Sequence, residues 1–83
     1  MTLTREAIDN INEFYRLTDD INDAYFFGPN ATVNLEAERR VIKAKITADQ
    51  FSAYLDAGIR PPHVVGQDVH DMWVAENFPE LAE

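Results

Sequence analysis

Val33-Asn34-Leu35-Glu36-Ala37-Glu38-Arg39-Arg40-Val41-Ile42-Lys43-Ala44-Lys45-Ile46 is the stretch on which the fold class turns. In its first half Val33, Leu35 and Ala37 alternate with Asn34 and Glu36; in its second, Ile42, Ala44 and Ile46 alternate with Lys43 and Lys45. A period of two marks a half-buried strand, so the pattern predicts an antiparallel hairpin with Glu38-Arg39-Arg40 as its connection. That connection holds no glycine, against the turn chemistry of tight hairpins, and a charged helix over 34–45 is the competing reading. With the hairpin, the fold is α+β: a long N-terminal amphipathic helix packed on a small antiparallel β-hairpin, followed by two short helices.

The segment before it reads as that long helix. Thr4 is placed to cap the first amides and Glu6 falls in the first turn, where a negative charge is favoured. At about 100° per residue, Ile8, Ile11, Phe14, Tyr15, Thr18, Ile21 and Tyr25 share one side, and Glu6, Asp9, Glu13, Asp20 and Asp23 share the other, interrupted by Arg16. The helix is expected to run to Tyr25 or Phe26 and to end at Gly28-Pro29-Asn30, since proline cannot continue it.

After the hairpin, Thr47-Ala48-Asp49-Gln50 matches a capping box that opens a second helix carrying Phe51, Tyr54 and Leu55 on one face. Gly58 closes it as a left-handed cap, with Ile59 packing back. Arg60-Pro61-Pro62-His63 reads as extended, because each proline restricts its own φ and the residue before it, and Val64-Val65 as a short edge strand. A last helix, about Gln67 to Asn77, turns Val69, Met72 and Trp73 inward and stops before Pro79. The core is expected to centre on Ile8, Ile11, Tyr15, Ile21, Val33, Leu35, Ile42, Ile46, Phe51, Leu55, Val69 and Trp73, with 78–83 a frayed tail. Residues 1–83 make one small domain, without repeats, low-complexity tracts or a dividing linker.

A chain of 83 residues buries only about 60% of the surface that it exposes when unfolded. Without cysteine it has no disulfides, thiolate chemistry or Cys-type zinc sites. Met1 and the polar, mixed-charge start argue against a signal peptide. No apolar run approaches the roughly 20 residues that span a bilayer. The expected location is the cytoplasm. Asn30-Ala31-Thr32 matches a glycosylation sequon, which without secretion is turn chemistry.

Charge is uneven: residues 1–30 carry a net −4, residues 31–46 a net +2 and residues 47–83 a net −6, giving −8 overall. A direct nucleic acid or anionic-lipid partner is disfavoured, because neutralising phosphates takes a basic surface. The island Arg39 to Lys45 is the one reservation. A basic protein is the natural complement.

Chemistry-bearing constellations are weak. His63, Asp68, His70 and Asp71 form the only imidazole–carboxylate cluster, but consecutive helical residues point about 100° apart and do not converge. The cluster therefore reads as solvent-facing residues at a helix N-terminus, with no metal site expected. There is no cysteine nucleophile, no serine in a glycine elbow and no glycine-rich phosphate loop. Paired carboxylates need a desolvating cleft that so small a domain has little volume to make. No enzyme activity, catalytic residue or cofactor is expected. Trp73, Tyr15, Tyr25, Phe26 and Phe27 are read as core packing rather than as an exposed patch.

The remaining candidate site is the acidic stripe, Glu6, Asp9, Glu13, Asp20 and Asp23. From Glu6 to Asp23 it spans roughly 26 Å at about 1.5 Å per residue, with negative charge recurring about every 4–6 Å except across the interruption at Arg16, against roughly 3.4 Å per phosphate along one DNA strand. Like charges so placed cost a helix a few tenths of a kcal/mol per pair. A solvated face is the plain reading. The sharper one is a small acidic inhibitor that occupies the nucleic-acid channel of a basic protein. In size, charge and lack of a motif the chain resembles phage-encoded anti-CRISPR and anti-restriction proteins, a likeness of composition that carries no residue over. It implies a DNA mimic acting in the host cell's cytoplasm. The alternative is a homo-oligomerising structural or adaptor module that forms a dimer interface through a hairpin edge or part of the aromatic set, and a metal-binding protein or enzyme is the minor alternative.

Overall fold

The computed structural model describes residues 3–81 of the chain. Helix α1 spans Arg5–Ala24, α2 Val33–Ala44, α3 Ala48–Asp56, α4 Pro62–Val65 and α5 Gln67–Asn77, and 3-10 turns occupy Tyr25–Phe27, Pro29–Thr32 and Pro79–Leu81. Among the described residues there is no strand, so the fold is all-α and not α+β.

The hairpin expected over 33–46 is a helix, and the residues explain why. Leu35, Arg39, Ile42 and Ile46 recur at four, three and four residues, so the stretch carries a helical face as well as an alternation. Leu35, Glu36, Ala37, Glu38, Arg39, Arg40, Lys43 and Ala44 are strong helix formers. Glu36 lies in the first turn of α2 and Lys43 in the last, each favoured by the helix dipole. A hairpin would need a turn at 38–40, where nothing supplies one.

The short edge strand expected at Val64-Val65 also fails. Pro61 is extended (φ −61°, ψ 143°), as a residue before proline should be, but Pro62 sits at the first position of α4, where its fixed φ suits a helix. Val64 and Val65 complete that single turn and Gly66, at φ 95°, ends it.

Other local expectations hold. Thr4 caps α1 by accepting from the Ala7 amide at 3.0 Å. The Thr47 hydroxyl accepts from the Gln50 amide at 3.1 Å while the Gln50 side chain accepts from the Thr47 amide at 3.0 Å, completing the capping box. Gly58 is left-handed at φ 75° beyond α3, and Ile59 is buried behind it.

Helix α1 is the spine. Helix α2 runs antiparallel to it, with Arg39 beside Phe14 and Thr18 and Lys45 near Glu6 and Asn10. Helix α3 crosses α1 through edge-on rings: Phe14–Phe51 at 5.4 Å and Tyr15–Phe51 at 6.5 Å between centroids. Helices α4 and α5 close the remaining side through His63 and His70. The molecule is elongated, 42 × 24 × 20 Å.

The core contains Leu3, Ala7, Ile8, Ile11, Ile46, Tyr54, Ile59 and Val74, with Tyr15, Ile42, Phe51 and Trp73 packed partly against it. Leu17 and Ile21 are buried too. Two expected core residues are exposed: Val33, the first residue of α2, and Leu55, which lies 100° round α3 from the buried Tyr54. Met72 is also exposed, because α5 is turned one position from its expected phase and buries His70 and Val74. Through Leu81 the expected frayed tail is packed, Phe78 and Leu81 lying against the core; Ala82 and Glu83 fall outside the described residues.

Candidate functional site

The outer face of α1 carries the expected row. Glu6, Asp9 and Asp23 are exposed and Glu13 and Asp20 half-exposed. Arg16 reorganises its middle. Its Nε donates to Glu13 Oε2 at 3.0 Å, its Nη2 to Glu13 Oε1, and its Nη1 to Asp20 Oδ2 at 2.9 Å. The hydrogen bond from Arg16 holds the Glu13 carboxyl below its ordinary range, and the same bond raises the Arg16 guanidinium. Among the described residues the other three carboxylates of the row, Glu6, Asp9 and Asp23, form no ion pair, although Lys45 lies near Glu6. The row is therefore two open ends around a centre where one guanidinium bridges two carboxylates and offsets half their charge.

Asp19, at the edge of the row, accepts a short 2.6 Å contact from His63 Nε2 in α4. The His63, Asp68, His70 and Asp71 cluster is not brought together: His63 turns to Asp19, and Gln67 donates to Asp71 at 2.9 Å. Among the described residues no three His, Cys, Asp or Glu side chains are grouped to hold a metal. His70, expected in solvent, is buried. Its Nδ1 lies 2.8 Å from the Arg60 carbonyl, which can only accept, so Nδ1 carries the proton and Nε2 accepts from Asn12 Nδ2 at 3.1 Å. Asn12 Oδ1 in turn accepts from Tyr54 at 2.6 Å. Burial, and then the neighbouring Tyr15, push the Tyr54 phenol well above the ordinary tyrosine range, which keeps it a donor. No buried side-chain polar atom is unpaired among the described residues. This chain of bonds is structural, and it fixes α3 and α5 to α1.

The basic island lies along α2, where Arg39, Arg40 and Lys43 line one surface hollow with Phe14 and Glu36. Arg39 turns inward, its guanidinium 5.9 Å from the Phe14 ring centre and its Nη1 3.3 Å from the Thr18 hydroxyl. Arg40 and Lys43 remain on the surface.

Sequence reading missed two features. One is the buried network, whose signal was Asn12 lying among Ile8, Ile11 and Tyr15 on the apolar side of α1. The other is the tip of the α1–α2 connection. Tyr25, Phe26 and Phe27, read as core, are 73%, 88% and 84% exposed. Among the described residues no element covers these three successive aromatics.

Comparison with protein-family models, curated proteins and solved structures finds no match. Whatever role the residues have must be argued from their own chemistry. Among the described residues no helix is long and apolar enough to cross a membrane.

Proposed function

We propose that the protein is a non-enzymatic acidic binding protein whose α1 face engages the nucleic-acid-binding surface of a basic protein, standing in for a row of phosphates. It acts by occupying that surface, in the cytoplasm, or in the host's cytoplasm if the protein is phage-encoded. The observation that carries the reading is the open exposure of Glu6, Asp9 and Asp23 along a single helix. That helix has 20 residues, about 30 Å at 1.5 Å per residue. The five carboxylates and one guanidinium of the row leave it a net −4. Such a face attracts a basic surface and repels nucleic acid.

The paired centre changes the choice of test. Reversing Glu13 or Asp20 would set a second cation beside the Arg16 guanidinium and disturb the helix itself. Among the described residues Glu6 and Asp9 form no ion pair. The experiment is capture of interacting proteins on immobilised chain at low salt, elution at high salt, and titration of the purified partner with wild type and with Glu6→Lys/Asp9→Lys. The expected result is a loss of at least tenfold in affinity and a shallower salt dependence, with the circular dichroism unchanged. Equal affinity of variant and wild type would refute the role of the row.

A further inference from the structure

We propose that the Tyr25–Phe27 tip is the anchor of the protein's interface, inserting into an apolar pocket on a partner protein whose rim carries lysine and arginine. The proposal deepens the binding reading above and rests on it. It names where contact is made and what the partner must offer.

The first observation is exposure in succession. Single exposed apolar residues are ordinary, whereas contiguous ones mark contact surfaces. Here three rings stand out of one turn, and Val33, at the start of α2, is 55% exposed just beyond it. Aromatic residues bury about 150–250 Å² each when covered, so the three rings offer on the order of 500 Å². A standard interface buries roughly 800 Å² per partner. The tip supplies the apolar centre of such a patch and its surroundings must supply the rim.

Those surroundings select the occupant. Asp19, Asp20 and Asp23 lie in the last turns of α1, with no basic residue in the last turn. They sit at the negative end of the helix dipole, where cations and not anions stabilise a helix. Asp19 contacts His63 and Asp20 contacts Arg16, while Asp23 is open. Local stability would favour lysine at these positions. The open Asp23 instead sets negative potential two residues before the exposed rings, at the carbonyl end of α1, the complement of an apolar pocket with a basic rim.

The same charges argue against a second copy. Two tips placed face to face would bring both sets of aspartates and both α1 carboxyl ends within a Debye length, about 8 Å at physiological salt. An anionic membrane is opposed for the same reason.

The test places the photocrosslinker p-benzoylphenylalanine at position 26 of the full chain in cells that express it, with position 55 on α3, 59% exposed, as control. The crosslinked protein is sequenced, purified and titrated with wild type, Phe26→Ala/Phe27→Ala, Asp23→Lys and Glu6→Lys/Asp9→Lys. The expected result is one partner captured at position 26 and not at 55, joined at an apolar pocket lined by Lys or Arg. Affinity should fall about 100-fold for the double alanine variant, as for truncated aromatic anchors. Asp23→Lys separates docking from folding, because it should raise the unfolding midpoint by relieving the helix end while weakening binding at least fivefold.

Capture of a second copy, of a pocket without a basic rim, or of nothing overturns the proposal. So does a change below about threefold for the double alanine variant. If Glu6→Lys/Asp9→Lys weakens binding and the tip variants do not, the row reading survives and this one fails. The converse leaves the tip standing and removes the row.

Discussion

Tyr54→Phe removes one oxygen from a fully buried ring and nothing else, so its cost can be worked from the network that the hydroxyl serves. The hydroxyl donates to Asn12 Oδ1 at 2.6 Å, and the Asn12 amide is already committed to His70 Nε2 at 3.1 Å. His70 cannot turn to compensate, because its Nδ1 proton is held by the Arg60 carbonyl. Loss of the hydroxyl therefore strands Asn12 Oδ1. A net hydrogen bond is worth about 0.5–1.5 kcal/mol and a stranded acceptor adds about 1–3 when fully buried. Asn12 is half-buried, which holds the sum near 1–1.5 kcal/mol. No cavity term enters, since the ring stays. For a domain of this size each kcal/mol lowers Tm by about 4–8 °C, so a fall of about 5–10 °C is expected. Urea unfolding at pH 7, followed by circular dichroism and by Trp73 fluorescence, should show a lower midpoint at constant slope. A double-mutant cycle with Asn12→Leu should give a coupling of about 1 kcal/mol. A loss below about 0.3 kcal/mol, or full additivity in the cycle, would refute the account of the network.

Two further substitutions probe the surface and the chain's turns. Arg16→Met should cost about 0.5–1 kcal/mol, the sum of two exposed helical pairs. Because Arg16 lowers the Glu13 carboxyl from its reference of 4.5, the stability from this pair is present above that value and is lost as pH falls through the lower folded value. The wild-type and variant unfolding curves, measured from pH 7 downward, should accordingly converge in acid. Gly58→Ala meets no atom within 4 Å, yet at φ 75° it should destabilise by about 1 kcal/mol, the cost of a left-handed alanine. Urea midpoints of Gly58→Ala and the milder Gly58→Asn should separate in that order, and equal stability of all three would sink the argument.

The local punctuation of this fold was legible because caps and turns are decided by a few neighbouring residues. Thr4, Thr47 with Gln50, and Gly58 act where the sequence placed them. The class of the 33–46 stretch was not legible from alternation, because Leu35, Arg39, Ile42 and Ile46 satisfy a helical period in the same letters. Turn chemistry and propensity decide between the two, and Glu38-Arg39-Arg40 favours the helix on both counts. The burial of His70 was hidden by its type. A histidine on a polar-looking helix reads as surface until Asn12, 58 residues away in sequence, is seen to face it. The positions of Glu6, Asp9 and Asp23 were legible from the helical period, while the clasp of Arg16 on two members of the row needed side-chain geometry. The exposed tip was invisible because aromatics default to the core, and only the fold shows that Tyr25, Phe26 and Phe27 stay exposed.

These findings separate what holds α1 from what α1 presents. Its inner side is fixed by the edge-on rings to α3, by the Asn12 bonds to Tyr54 and His70, and by Arg39 of α2. None of these contacts uses Glu6, Asp9, Asp23 or the three rings of the tip. Changes at Asp9 and at the tip should therefore leave the unfolding midpoint nearly unmoved, replacement of the helix-end Asp23 should raise it, and replacement of Glu6, in the first turn of α1, should lower it by no more than about 0.3–1 kcal/mol. Core changes such as Tyr54→Phe should lower the midpoint while leaving any docking by the folded fraction intact. Arg16 is the exception, since it touches the row and supports the helix at once. Its removal makes the face more acidic and the fold weaker, so a basic partner should bind Arg16→Met more tightly even as the protein melts earlier. Opposite signs in the two measurements would be hard to obtain if the row were only a solvated surface.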